Sequence, residues 1–385
     1  MSDERGARLG GWTLFCKLVD NFGDIGVCWR LAKCLALHNG ISVTLVVDDI
    51  DTLRILCPEL PYDEDEIFLD GVTVIPWIEA SDALEPDDVV IEAFACELPE
   101  AFLERMCRRK HTPLWINLEY LSAESWVEDC HLMRSPHPRL PLVKHFFFPG
   151  FTGRTGGLLR ETGLFERRDD FQRDDGASTR FLAENGCPEP VPGSLLVSLF
   201  CYEQPALAGL FGAWSGSARP VTVFVPVGRV LDDVAAFFGK VPEVGARLKA
   251  GALTVAVLPF LSQDDYDRLL WSCDLNFVRG EDSFVRAQWA ARPFVWQAYR
   301  QDDAAHMLKL EAFLSRFADG LDPDSRRATE AFWQAWNEGT MQPGVWNDFY
   351  EHFGAYQSYC ARWANQLAEY DDLTTSLLEF SKKSV

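Results

Sequence analysis

The chain lacks any surplus of positive charge: 36 lysines and arginines face 58 aspartates and glutamates, a formal net charge of −22. A broad surface that tracks nucleic acid is thereby excluded, and any phosphate site has to be local. No apolar run reaches the roughly 18 residues a membrane helix needs, so no spanning segment is expected. Residues 1–11 are polar, without the apolar centre of a signal peptide, and a cytoplasmic protein is expected. The 11 cysteines form no C-x-x-C pair, and the 7 histidines show neither H-E-x-x-H nor H-x-H spacing. A disulfide framework and the usual zinc sites are excluded, leaving the thiols as small buried hydrophobes of a reducing compartment and the histidines as satisfied or exposed side chains. Internal repeats and low-complexity tracts are absent too.

What remains is the composition of a folded protein, 48% apolar and 24% charged, whose 385 residues suggest two domains. The first half alternates short apolar segments (12–19, 41–47, 72–77, 89–93, 114–118) with helical or looped stretches. Several segments are apolar without alternation, as strands covered on both faces are, which predicts βα units and a parallel sheet. Cys28, Leu31, Ala32 and Leu35 recur at helical spacing, and Asn39-Gly40 stops that helix. A composition shift at 150–175, charge-dense after Gly153, Gly156 and Gly157, and a proline-rich stretch at 186–193 bracket the expected interdomain connection. Strand-like segments resume at 194–200, 221–227, 253–258, 275–278 and 293–296. The expected domains are 1–185 and 190–357, with aromatic-rich helices from residue 328 onward crossing back and a helix at about 358–385 completing the first domain. Two open sheets in succession predict a ligand cleft between the ends of their strands.

Three strand-end motifs carry chemistry. The first is Asp20-Asn21-Phe22-Gly23-Asp24-Ile25-Gly26, between the first strand and its helix. Its spacing departs from G-x-G-x-x-G, and two carboxylates would repel a pyrophosphate, so it suits a cationic or hydroxylic ligand. On pattern alone, capping and turn bonding explain the two acids more simply. The second motif is Arg279-Gly280-Glu281-Asp282-Ser283-Phe284-Val285-Arg286, a strand end opening a helix, where Arg279 and helix-start amides with Ser283 nearby would hold a diphosphate. Glu281 would then turn to sugar or ribose hydroxyls, or serve only the helix dipole. Arg286 reads as an ordinary surface or salt-bridge arginine. The third, Leu258-Pro259-Phe260-Leu261-Ser262-Gln263, offers an aromatic and an amide to a base, as Phe200 and Tyr202 do at the first strand of this half; core packing explains the phenylalanines equally well.

The segments Phe15-Cys16-Lys17-Leu18-Val19-Asp20-Asn21-Phe22-Gly23-Asp24-Ile25-Gly26, Glu92-Ala93-Phe94-Ala95-Cys96-Glu97-Leu98-Pro99, Leu118-Glu119-Tyr120-Leu121-Ser122-Ala123-Glu124 and the run from Arg279 to Gln288 together resemble the protein-arginine rhamnosyltransferases of elongation factor P, over nearly the whole chain. The resemblance implies an α/β fold of the GT-B glycosyltransferase class, with two Rossmann-like domains facing across a cleft, the first for the acceptor and the second for a nucleotide sugar. It implies inverting transfer of L-rhamnose from dTDP-β-L-rhamnose to one arginine of elongation factor P, with no metal or other cofactor and with neither nucleic acid nor membrane as partner. By position, Asp20 and Asp24 match the catalytic aspartates, Asp24 as the general base, and Glu281 an essential glutamate. Arg279, Gly280, Asp282 and Ser283 match the diphosphate loop; Tyr202, Phe260 and Gln263 match positions around thymine and deoxyribose. Asn21, Phe22, Gly23 and Gly26 form the turn supporting the acids. This context reverses the preference for simple capping. A GT-B enzyme acting on another acceptor and a non-catalytic nucleotide-sugar-binding protein are the alternatives.

Overall fold

Strands that are apolar along their whole length need cover on both faces, and helices follow most of them. A computed structural model describes residues 10–19, 22–61, 67–78, 83–187, 189–300 and 305–384. It divides into two compact units, Met1–Thr162 with Ala368–Val385, and Gly163–Leu367.

The first unit is built on β1 (Trp12–Cys16), β2 (Val43–Val47), β3 (Ile67–Leu69), β4 (Val72–Pro76), β5 (Val89–Ala93), β6 (Leu114–Leu118), β7 (Arg134–Pro136) and β8 (Val143–Phe147), in the order β3-β4-β2-β1-β5-β6-β8-β7. β1, β5 and β6 are buried throughout, and β1 runs parallel to β2 and β5, with Trp12 opposite Val43 and Val89. Among the described residues, only the short rim strands β3 and β7 are antiparallel, each to its hairpin partner. One layer of core sets Phe15, Val46, Val90 and Trp115 against Phe102 and Met106 of the helix Glu100–Arg108.

The second unit holds β9 (Leu195–Leu199), β10 (Val221–Pro226), β11 (Arg247–Ala250), β12 (Leu253–Leu258), β13 (Leu275–Arg279) and β14 (Phe294–Gln297), in the order β11-β12-β10-β9-β13-β14. β11 is its antiparallel rim. Both sheets reverse strand order beside their first strand, at β1/β5 and at β9/β13. Open α/β sheets bind ligands beyond the strand ends at such a reversal.

The chain divides at 162/163 rather than at 185–190. The charge-dense stretch expected as a connector is the helix Leu164–Arg173, which packs with Ala177–Glu184 on the helix Gln263–Ser272, where Phe171 meets Phe181 and Trp271 edge-on. The aromatic helices beyond 328 also stay in the second unit until residue 367: Phe332 stacks on Phe349, and the Trp363 indole donates to Gln288 Oε1 at 2.9 Å. The returning piece is shorter than expected, the helix Leu373–Ser384 and the residues leading into it. It is held to the first unit by Phe380, edge-on to His145, by the Leu373 amide on Leu158 O at 3.1 Å, and by the Arg160 guanidinium on Ala368 O at 3.2 Å.

That docking requires glycine at 157. Its φ is +72°, and a Cβ there would lie 2.1 Å from the Asp371 carbonyl oxygen. Gly157→Ala is expected to destabilise the first unit by about 1–3 kcal/mol, seen as a lower urea midpoint with unchanged slope.

Candidate active site

Where β1 ends, the backbone leaves the sheet and turns into the helix Gly23–Lys33. Phe22 stands at its N-cap without a side-chain cap bond, and the first helical bond runs from Gly26 N–H to Phe22 O. Asp24 lies in the first turn, only 3% exposed, and its Oδ2 accepts the Val19 amide at 2.8 Å. The acid therefore ties the incoming loop to the helix, a turn bond rather than a cap. Asp20 and Asn21 lie outside the described residues. Beneath the turn sits Cys28, its thiol pushed well above the ordinary value by burial first and by Cys16, Asp24 and Cys96 beside it. Lys17 extends over the Trp77 ring, 4.8 Å from its centroid.

In the second unit, the ends of β9 and β13 carry a tight aromatic and cationic cluster. The Arg279 guanidinium lies 4.5 Å from the Phe200 ring centroid and 4.4 Å from that of Tyr202, and is 7% exposed. Such stacking fixes the orientation of a planar cation. Gly280 takes φ +59°, natural for glycine, which turns the strand into Glu281 at the N-cap of the helix Asp282–Trp289. The Ser283 hydroxyl accepts the Arg279 amide at 3.0 Å and donates to the Arg279 carbonyl, so it closes the loop upon itself. A diphosphate would meet helix-start amides and Arg279 rather than this hydroxyl. Gln263 opens the helix after β12 and donates to Asp282 Oδ2 at 3.5 Å, joining two motifs that looked separate in sequence. Phe260 is half-buried in the loop before it.

A family model described as elongation factor P (EF-P) rhamnosyltransferase EarP matches residues 12–382. The chain belongs to the EarP family. The protein-arginine rhamnosyltransferase of Pseudomonas putida is 48% identical to it, covering 97% of this chain and 99% of that one; its Pseudomonas aeruginosa counterpart is 47% identical over the same shares. A solved structure concerned with EarP-mediated arginine glycosylation of translation elongation factor EF-P is 36% identical, covers 97% of this chain and 99% of its own, and aligns with a TM-score of 0.70. The calicheamicin glycosyltransferase CalG4, 12% identical with a TM-score of 0.52, shares the fold, covering 98% of this chain and 100% of its own. The architecture is GT-B and the protein is an enzyme, a glycosyltransferase.

Further residues brace the candidate site. The Tyr202 amide donates to Gln297 Oε1 at 2.8 Å, and the Trp296 indole to Gly280 O at 2.8 Å, so the end of β14 braces both loops. Tyr266 meets Phe200 edge-on at 5.3 Å, its phenol pushed up by burial. The polar or aromatic ends of β14 and of the helix after β12 were the available signal. The 11 thiols are unbridged and 9 of them buried, as expected of small hydrophobes; burial also raises Cys96, Cys201 and Cys273. His131 and His137 accept backbone amides through Nδ1. Among the described residues, no helix is long and apolar enough to cross a membrane.

Of the two roles expected of Arg286, it takes the salt bridge, and it is buried rather than at the surface. It forms a two-bond bridge to Asp267, at 2.8 and 2.6 Å, with side-chain exposures of 2% and 4%. This locks the helix behind Arg279 to the helix behind Gln263. Asp267→Asn strips the charge facing a buried guanidinium and is expected to cost the second unit about 3–5 kcal/mol in urea unfolding, whereas Asp267→Leu with Arg286→Met recovers most of it.

Proposed function

We propose that the chain moves L-rhamnose from dTDP-β-L-rhamnose to one arginine side chain of elongation factor P in the cytoplasm, with inversion at the anomeric carbon and without a metal ion. The observation that carries this reading is the family match across residues 12–382, with Asp24 at one strand-order reversal and a stacked guanidinium at the other.

A guanidinium has a pKa above about 12 and no lone pair to offer, so transfer to it requires carboxylates that orient it and take a proton. Asp20 and Asp24 are assigned that task, Asp24 as the base. Burial strips Asp24 of most of its water and strengthens its field on a neighbouring cation. As the guanidine nitrogen bonds to C1 from the face opposite the diphosphate, the C1–O bond breaks and its electron pair leaves with dTDP. The proton passes from nitrogen to carboxylate. Arg279 and the amides opening Asp282–Trp289 take the charge that grows on the diphosphate. Tyr202, Phe260 and Gln263 are assigned to the nucleoside, and Glu281 to sugar or ribose hydroxyls.

Incubation with dTDP-rhamnose and elongation factor P, followed by mass spectrometry of the acceptor, tests this: one deoxyhexose on one arginine is expected, and an unmodified acceptor contradicts it. Asp24→Asn leaves an oxygen for the Val19 amide but no base; turnover should fall about 10²–10⁴-fold while calorimetry shows donor affinity retained. Arg279→Ala should instead weaken dTDP binding by about 1.5–3 kcal/mol in the same calorimetry. Among the described residues no cluster of three or more His, Cys, Asp or Glu side chains could hold a metal ion. Transfer is expected to proceed unchanged in excess chelator, and a requirement for added Mg²⁺ or Mn²⁺ would contradict the assignment of Arg279.

A further inference from the structure

Six non-glycine residues among those described have positive φ, and three fall in one tetrapeptide: Phe94 at 55°, Ala95 at 52° and Glu97 at 56°. Side-chain-bearing residues adopt this backbone only where their surroundings enforce it. The other described positive-φ positions are mostly glycine, including Gly40, Gly157, Gly239 and Gly339, with Asp70, Leu132 and Ala291 each standing singly. Residues 94–97 follow β5 at its reversal beside β1, on the same rim as the Asp24 turn. Cys96 and Asp24 are both electrostatic neighbours of Cys28, and the Cys96 thiol donates to Phe15 O at 3.5 Å.

The enforcement comes from below. Glu92, 1% exposed, interrupts the apolar run Val89-Val90-Ile91. Its Oε1 accepts the Glu97 amide at 3.1 Å, its Oε2 accepts the Trp115 indole at 3.0 Å, and the Lys144 ammonium lies 3.2 Å from Oε2. From the side, Phe94 donates its amide to Leu118 O at 2.7 Å and stacks its ring on Tyr120, centroids 4.4 Å apart. A buried carboxylate with its own counter-ion is a costly way to fill a strand interior, where an apolar residue packs as well. Here it holds a strained loop in a single shape.

Building on the transfer reading above, we propose that residues 94–97 are the acceptor-positioning wall of the site, against which the arginine side chain is held for attack, and that Glu92 is the positioning residue that fixes them. Strain without glycine gives the wall rigidity; glycine would remove the strain and the rigidity together.

The test is the pair Ala95→Gly with Glu97→Gly in the full chain. Glycine accepts positive φ freely, so the thermal midpoint should hold or rise. Acceptor kcat/KM should nonetheless fall about 10–100-fold, mostly through KM, and calorimetric affinity for elongation factor P should weaken in step, with dTDP affinity unchanged. Glu92→Gln keeps an oxygen for the Glu97 amide but loses the charge facing Lys144; it should show the same acceptor-specific loss. Full acceptor kcat/KM in the glycine pair overturns the proposal, and so does an equal loss of dTDP affinity. If the unsubstituted chain transfers nothing to elongation factor P, the transfer reading fails and this one with it. Full transfer by the unsubstituted chain and the glycine pair alike overturns only the positioning role.

Discussion

A parallel sheet that takes helices on both faces has to reverse its strand order once, and at that reversal two neighbouring strand ends send their loops to opposite faces. The gap this leaves is the one place on the sheet where a ligand can approach the strand ends unobstructed by a crossover. The chain uses this constraint twice. At β1/β5 the diverging loops carry Asp24 and the strained run 94–97; at β9/β13 they carry Phe200, Tyr202, Arg279 and Glu281. The chemistry follows from which side chains stand at each reversal.

The two positions solve opposite electrostatic problems in one acidic chain. A net charge of −22 disfavours an anionic ligand at long range, so on the proposed reading the second unit answers locally, with the Arg279 guanidinium over two rings and a helix start behind it. Stacking on the two rings holds that cation in place. The buried Arg286–Asp267 bridge fastens the two helices behind it, and so places charge in the scaffold only as a closed pair. In the first unit, on the proposed reading, the background charge favours the ligand, because an acidic chain draws a guanidinium toward Asp24.

Most of the architecture was legible because continuous apolar strands are a strong signal: residues 89–93, 114–118 and 253–258 are strands with those bounds. The strands at Ile67–Leu69, Arg134–Pro136 and Arg247–Ala250 were not read, being short antiparallel rims with exposed residues, and Val143–Phe147 was hidden by Lys144 and His145. The domain division was misplaced because charge density at 160–175 looks like a linker when only one turn-spaced stripe of a helix is apolar, and Phe171 packs from that stripe onto Trp271. At the site, Arg279, Gly280 and Gln263 could be picked out from residue type and strand-end position. The Ser283 bond back to Arg279 and the role of Gln297 could not, since both depend on loop closure that no local pattern encodes. Glu92 was passed over within the apolar segment 89–93, because its meaning depends on backbone angles at residues 94–97.

The central claim is a division of labour, with donor at the β9/β13 reversal and acceptor at β1/β5. Amide hydrogen exchange on the full chain with saturating dTDP reads it directly. Slower exchange is expected at residues 200–204, 260–265 and 279–285, with residues 22–26 and 94–97 unaffected until elongation factor P is added. Protection of 22–26 by dTDP alone, with 279–285 unchanged, would contradict it.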